Sequence, residues 1–343
     1  MQTVNFAIIG CGRIFSKHAS AISDLENAKL VAVCDVVEEK AKKMAEEYKC
    51  DYFTDYKEML KQPAIDVVSV CTPSGFHCEM TLNSARSKKH VVTEKPMAMN
   101  MKEAREMVKV CKEEGVKLFV VKQNRYNTPI KEMKKALDEG RFGKLFLGNI
   151  KVHWTRPQEY YDQDEWRGTR ARDGGVLMNQ ASHHVDMLRW MMGEPQSIVG
   201  FCSTMTHDIE SEDTAVAIVK FKNGAFATIE TTTSIFPKNI EGSISVFGDA
   251  GSAKVGGTAM NKIDVWEFKD NKETKETMEK FSTNPPNVYG FGHQEYFKDV
   301  VKSILEDLDP VVDGNEGLKS LELIEGIYTS IEMGGKEINL PLK

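Results

Sequence analysis

The side chains of this chain best suited to chemistry gather in one stretch, GGVLMNQASHHVDMLRWMMG at 174–193. It begins like the start of a helix, and Val176, Leu177, Ala181, Val185, Leu188 and Met192 recur at roughly helical spacing. Through that apolar pattern run an amide pair (Asn179, Gln180), two adjacent histidines (His183, His184) and Asp186. Such groups serve a core helix with polar decoration, a metal site or a catalytic apparatus. Geometry argues against metal, because neighbouring residues diverge by about 100° on a helix and His183 and His184 do not easily converge on one ion. His183 and Asp186 share a face, but no strong third ligand lies at helical spacing. Asn179 and His183, at i and i+4, share a face as well.

A second signal is AIIGCGRIFSKH at 7–18. Gly10 and Gly12 fall where a first strand would turn into a first helix, with Arg13 and Ile14 beside them. Glycine there permits a tight turn and lets backbone N–H groups approach a pyrophosphate at the positive helix end. The third position of the full glycine fingerprint is Phe15, so the helix is expected to pack less closely than that fingerprint allows. Asp35 ends the second predicted strand, where an acid accepts hydrogen bonds from an adenosine ribose. Its charge would repel a 2′-phosphate, and Val36 and Val37 offer no arginine to bind one. NAD is therefore expected over NADP.

The elements that must position these groups follow two patterns. Short β-type runs at 4–9, 29–34, 66–71, 89–94 and 116–121 alternate with helical segments, which indicates a parallel sheet covered on both faces. After Asn124 come a helix at about 128–139 and a strand at 144–154. From 196 to about 268, β-type runs joined by short turns imply an antiparallel sheet. Helical patterns return at 291–307 and 315–332. The expected fold class is thus α/β, followed by an α+β domain on one large open sheet. A chain of 343 residues exceeds what one core usually organises.

The formal charge of −6 and the absence of a dense Lys/Arg block argue against a nucleic-acid or membrane-surface partner. The seven cysteines are scattered with no CxxC pair, so neither a zinc ribbon nor a disulfide framework is expected. With no membrane-length apolar run, the plain expectation is a reduced, cytoplasmic protein.

In TEKPMAMN (93–100), Glu94-Lys95-Pro96 falls at the end of the predicted strand 89–94. Together with the glycine turn and CTPSGFH (71–77), it resembles the Gfo/Idh/MocA family of oxidoreductases, relatives of glucose–fructose oxidoreductase and inositol dehydrogenase. The resemblance covers essentially the whole chain. It implies an NAD-binding Rossmann domain over 1–124 and a substrate-binding and oligomerisation domain over 125–343, with substrate held between them. It also implies that Lys95 of Glu94-Lys95-Pro96 lies beside the nicotinamide and substrate. A lysine pKa near about 10.4 would have to fall for Lys95 to accept a proton. Thr72, Pro73 and His77 match the loop along the cofactor, and Gln123 and Asn124 fall on the nicotinamide or substrate side.

Many family dehydrogenases carry an aspartate, a histidine four residues on, and an aspartate three beyond. The last two match His183, implied to contact the reacting hydroxyl, and Asp186, implied to orient the helix or the imidazole. His184 faces elsewhere, as a satisfied structural histidine. The first position is Asn179, an amide that keeps hydrogen bonding without the charge and so suits an anionic substrate. MNQASHHVD is similar to the branch acting on UDP-N-acetyl-glucosaminuronate, the WlbA- and WbpB-like 3-dehydrogenases. Some of these recycle tightly held NADH with 2-oxoglutarate.

The preceding segment, WTRPQEYYDQDEWRGTRARDGG (154–175), sets Arg156, Arg167, Arg170 and Arg172 among Trp154, Tyr160, Tyr161 and Trp166. Arginine forks suit carboxylate or diphosphate, and aromatic faces stack on a base or sugar. Arg167, in the Trp-Arg pair common in the family, is the first candidate for cofactor or substrate. Tyr289 and His293 are candidates for a pocket wall. The alternatives are a neutral polyol or free-sugar dehydrogenase, a glycosidase that retains NAD, and a non-catalytic NAD sensor. A broad sheet with a face to cover suggests a homo-oligomer, a dimer or tetramer by family analogy.

Overall fold

A computed structural model describes residues 2–257, 259–270, 274–283 and 290–342. The chain forms two compact units: Met1–Lys122 with His293–Leu318, and Gln123–Gly292 with Lys319–Lys343.

The first unit is built on strands β1 (Val4–Ile9), β2 (Ala28–Cys34), β3 (Asp51–Phe53), β4 (Val67–Val70), β5 (His90–Thr93) and β6 (Leu118–Val120). They form one parallel sheet in the order β3-β2-β1-β4-β5-β6. Phe6, Ile8, Val67, Val68, Val91, Val92 and Val120 are buried, as continuous apolar strands covered on both faces should be. The chain order reverses between β1 and β4, so the carboxyl ends of these two strands flank the switch point where such sheets take ligands.

The division into units differs from the single break at 124 expected from the sequence. The segment from His293 returns to the first unit: Phe297 meets Phe6 edge-on with ring centroids 5.8 Å apart. Val120 N–H donates to Val312 O at 3.0 Å, and Phe119 bridges to Asp313. Helical periodicity shows that a helix exists at 291–307 but not which sheet its apolar face will cover.

The second unit carries β7 (Leu145–His153), β8 (Pro195–Ser203), β9 (Thr214–Phe221), β10 (Phe226–Thr232), β11 (Glu241–Gly248), β12 (Gly251–Gly256), β13 (Lys262–Phe268) and β14 (Ile338–Asn339). Their order is β13-β12-β11-β7-β10-β9-β8-β14. The pairing is antiparallel except between β7 and β10. Ala215, Ala217, Val219 and Phe221 of β9 point inward, and Val216, Ile218 and Lys220 outward, the period-two pattern of a sheet with one covered face. The helix Ser182–Met192 packs on β7 and β11. At Gly148 a Cβ would stand 2.8 Å from Met192 Sδ, so glycine there permits the close approach.

Among the described residues, no helix is long and apolar enough to cross a membrane.

Candidate active site

In the first unit, the residues expected to hold a dinucleotide follow the carboxyl ends of parallel strands. Gly10 follows β1, Asp35 follows β2, Thr72 and Pro73 follow β4, and Glu94 and Lys95 follow β5. Gly10 has φ +99°, and a Cβ there would lie 2.7 Å from the Cys71 carbonyl oxygen. Glycine thus lets the exits of β1 and β4 run side by side. Gly12 is the opposite case, since a Cβ there would meet nothing within 4 Å. That open space faces the start of the helix Phe15–Ser23, whose Ile14 N-cap makes no side-chain capping bond. A helix start without a cap and with free space before it fits an anionic pyrophosphate. Arg13 is exposed beside it, while Phe15 is buried in the core against Tyr48.

Asp35 accepts the Cys11 N–H at 2.8 Å through one oxygen and the Val37 N–H at 2.9 Å through the other. It therefore fixes the glycine turn, and both oxygens keep lone-pair capacity for ribose hydroxyls. The residues present fit NAD. His77 is fastened within the protein itself. It is buried, with Nδ1 2.7 Å from Pro96 O and Nε2 2.9 Å from Thr72 O. Burial pushes its pKa down while the two carbonyls favour a proton on the ring, and the ring fastens one loop to the other.

Glu94 is held from the other side by a residue that the motif reading passed over. His18 Nε2 lies 2.8 Å from Glu94 Oε1, and its Nδ1 lies 2.7 Å from Ser69 Oγ. Burial opposes a charge on this ring, but the Cys71 sulfur and the Glu94 carboxylate outweigh it and raise the pKa. Burial likewise opposes a Glu94 charge, and the His18 bond and the nearby Lys95 hold the carboxyl well below its usual range. The two shifts run in the directions that favour an ion pair, His18 upward and Glu94 downward. His293 stands beside it, neutral, with burial and the His18 charge pushing its pKa down to about 3. Ligand atoms of His18, Glu94 and His293 lie within 4.8 Å of one another. Tetrahedral ligand atoms about 2.1 Å from a zinc ion would stand about 3.4 Å apart. The 2.8 Å His18–Glu94 separation is that of a hydrogen bond.

In the second unit, the stretch around Asn179 is not one continuous helix. Val176–Gln180 forms a π-turn, closed by Ala181 N–H to Val176 O at 2.8 Å, and the α-helix starts at Ser182. The cause lies just before it, where Gly174 and Gly175 take φ +82° and +77°. Glu212 fills the place of a Gly175 side chain and accepts the Leu177 N–H at 3.1 Å. The i, i+4 relation of Asn179 and His183 therefore spans a wide turn and a helix start. Asn179 Nδ2 donates to Asp173, a buried carboxylate that also accepts the Gly168 N–H at 2.7 Å. The amide thus sits on a carboxylate rather than in a charge-free setting.

Gln123 Nε2 lies 3.0 Å from His183 Nε2. An amide N–H only donates, so this ring nitrogen accepts. Asp186, expected to orient the helix or the imidazole, is gripped instead by Arg125: Nε to Oδ2 at 2.7 Å and Nη2 to Oδ1 at 2.8 Å, all buried. Arg125 also lies over Trp190, 4.9 Å from the ring centroid. The sequence signal was present in Gln123-Asn124-Arg125, but no local spacing links Arg125 to a residue on a later helix. His184 is buried against Trp154, and burial lowers its pKa to about 4. Neither of its nitrogens has a hydrogen-bond partner among the described residues, so it is not the satisfied histidine expected. Gln123 Oε1 and Asn124 Oδ1 are also buried acceptors without a partner there.

The arginine-rich segment forms an alternating stack. Arg156 lies 5.0 Å from the Trp154 ring and 5.5 Å from Tyr160; Arg167 lies 4.6 Å from Tyr160 and 4.5 Å from Trp166. Gln180 ties it together, accepting from Arg156 Nη2 at 3.1 Å and donating to the Tyr160 hydroxyl at 3.1 Å. Arg167 spends Nε on Asp164 at 2.8 Å. Tyr161 turns inward onto Thr233, and Arg170 and Arg172 are exposed. Tyr289 lies outside the described residues.

The family model for an oxidoreductase NAD-binding Rossmann fold matches residues 4–122, and that for the family's C-terminal α/β domain matches 134–340. The WlbA dehydrogenase of Bordetella pertussis, solved with NADH and UDP-GlcNAcA, is 41% identical with TM-score 0.94, covering 100% of this chain and 99% of its own. WlbA of Chromobacterium violaceum, with the same two ligands, is 40% identical with TM-score 0.94, covering 100% and 97%. The myo-inositol 2-dehydrogenase of Thermotoga maritima is 27% identical over 344 residues, 96% of each chain. With both domain models matched over nearly the whole chain, and strand ends built for NAD, this protein belongs to the Gfo/Idh/MocA oxidoreductase family.

Proposed function

We propose that this protein is an NAD-dependent dehydrogenase that oxidises C3 of a UDP-linked N-acetylated hexosaminuronic acid to a ketone, in surface polysaccharide biosynthesis. The observation that carries this reading is the full-length likeness to two WlbA enzymes solved with NADH and UDP-GlcNAcA. The geometry supports it. The buried Gln123 and Asn124 carbonyl oxygens are acceptors suited to sugar hydroxyls, because an unmatched buried acceptor costs on the order of 1–3 kcal/mol. The Arg156 and Arg167 stack suits an anionic, ring-bearing ligand.

Bound NAD supplies the hydride acceptor. Lys95, as the neutral amine, takes the hydroxyl proton while the carbinol hydrogen leaves as hydride and the C–O bond becomes C=O. His183 hydrogen-bonds the reacting oxygen, and Asn179 contributes to substrate recognition. Lys95 is assigned the base because Gln123 engages His183 Nε2.

A homo-oligomer is part of the proposal. The outward sheet face exposes Phe201, Val216, Ile218, Phe226 and Leu147, and strand pairing sets them on one side. A contiguous apolar face of this kind is normally covered. The seven cysteines are all free, in keeping with a reducing cytoplasm.

The second reading, a neutral polyol substrate, is favoured by the inositol dehydrogenase relative. Purified protein incubated with a panel of UDP-sugars and polyols, with and without 2-oxoglutarate as hydride acceptor, separates the two. Mass spectrometry should find a UDP-linked uronate lighter by two hydrogens. Reaction of polyols alone would reject the proposal, and sugar release without net redox would identify a glycosidase.

A further inference from the structure

We infer that His18 is a positioning residue for Lys95, acting through the buried carboxylate of Glu94. This rests on the reading of Lys95 as the base. His18 is on the first helix, after the glycine turn, and is 0% exposed. Its ring is fixed at both nitrogens, by Ser69 Oγ at 2.7 Å and Glu94 Oε1 at 2.8 Å, and Phe297 closes its face edge-on at 5.1 Å. The second Glu94 oxygen accepts the Lys95 backbone N–H at 3.0 Å. One carboxylate therefore joins the cofactor helix to the residue that carries the amine.

The pair also sets the charge around that amine. A lone carboxylate beside Lys95 would stabilise the ammonium and keep it from accepting a proton. His18 cancels that carboxylate with a positive charge. A buried ion pair is weak evidence for stability by itself, since apolar replacements often hold a fold as well. Other titratable groups face this cluster from neighbouring elements. They are His293 near the His18 ring, Lys17 acting on His293, Cys71 at the exit of β4, and His77, which feels both Glu94 and Lys95. His293 and His77 have lowered pKa values and His18 a raised one, so of the three imidazoles His18 is the one placed to carry the positive charge opposite Glu94.

The test uses full-length NAD-loaded protein and the variants His18→Gln, Glu94→Gln and the two combined. The Lys95 amine is titrated directly, from the pH dependence of its acetylation by acetic anhydride read by mass spectrometry of the Lys95 peptide. His18→Gln should raise the amine pKa by about one unit or more. It should move the acid limb of the kcat profile upward by the same amount and leave NAD affinity within about twofold. The double variant should return the amine to about its wild-type value. An unmoved amine pKa in His18→Gln, or a shift that persists in the double variant, overturns the inference. If His18→Gln does not fold, His18→Asn, which keeps a hydrogen-bonding side chain without the positive charge, takes its place, and an unmoved amine pKa there overturns the inference in the same way. Glu94→Gln removes the carboxylate and with it the support for a charge on the buried His18, so it should leave the amine close to the double variant; an amine raised as in His18→Gln would overturn the role of Glu94 as the link. If the amine shifts but the kcat limb does not, the inference stands and Lys95 is not the base.

Discussion

Asn179 donates to the buried carboxylate of Asp173, so one negative charge already lies behind the amide. Asn179→Asp would set two carboxylates against each other and face an anionic substrate with the uncompensated one. KM for a UDP-linked uronate should rise about tenfold or more, and turnover of a neutral polyol should change little. Steady-state kinetics on both substrates checks this, and equal effects on the two would remove Asn179 from substrate selection. Asp35 holds the Cys11 and Val37 N–H groups, and the proposed NAD site sets it opposite a ribose. Asp35→Ala should weaken NADH binding by about tenfold or more and narrow the preference over NADPH, measured by fluorescence titration with each.

The turn that presents Asn179 is held by an unusual acid. Burial pushes the Glu212 pKa up to about 7. Tyr328 Oη lies 2.6 Å from Gly174 O and 2.9 Å from Glu212 Oε1. A hydroxyl has one proton to give, so a protonated Glu212 donating to Tyr328, which donates to Gly174, satisfies all three groups. The folded pKa is raised, so the stability from this proton is complete below the ordinary carboxyl range and is lost as pH rises through about 7. Between pH 4.5 and 8, the wild type should lose roughly 3 kcal/mol relative to Glu212→Gln. Urea unfolding of both proteins across that range checks the sign. The helix Ser182–Met192 depends on another buried contact, between Asp186 and Arg125. Asp186→Asn leaves the guanidinium without its charge partner and should cost about 3–5 kcal/mol, read from the urea midpoint.

On the sheet of the second unit, Ile218 and Phe226 are 57% and 51% exposed on one face. If a second copy covers that face, Ile218→Lys combined with Phe226→Lys should yield a monomer by light scattering, with the far-ultraviolet dichroism kept. An unchanged mass would put the contact elsewhere. The two sheets themselves were legible in the sequence, because continuous apolar runs and period-two alternation are local patterns that burial imposes. So were the glycine turn, Asp35 and Glu94-Lys95, each placed by the end of a strand that could be read directly. Short or edge elements such as β3, β12 and the helix Thr274–Phe281 carry too little periodicity to stand out. What only the tertiary structure decided is which distant groups meet. The return of His293–Leu318 to the first unit, the grip of Arg125 on Asp186, the π-turn shaped around Glu212 and the His18–Glu94 pair all join residues far apart in the chain. Local spacing records the face that a residue occupies; packing alone determines what stands opposite it.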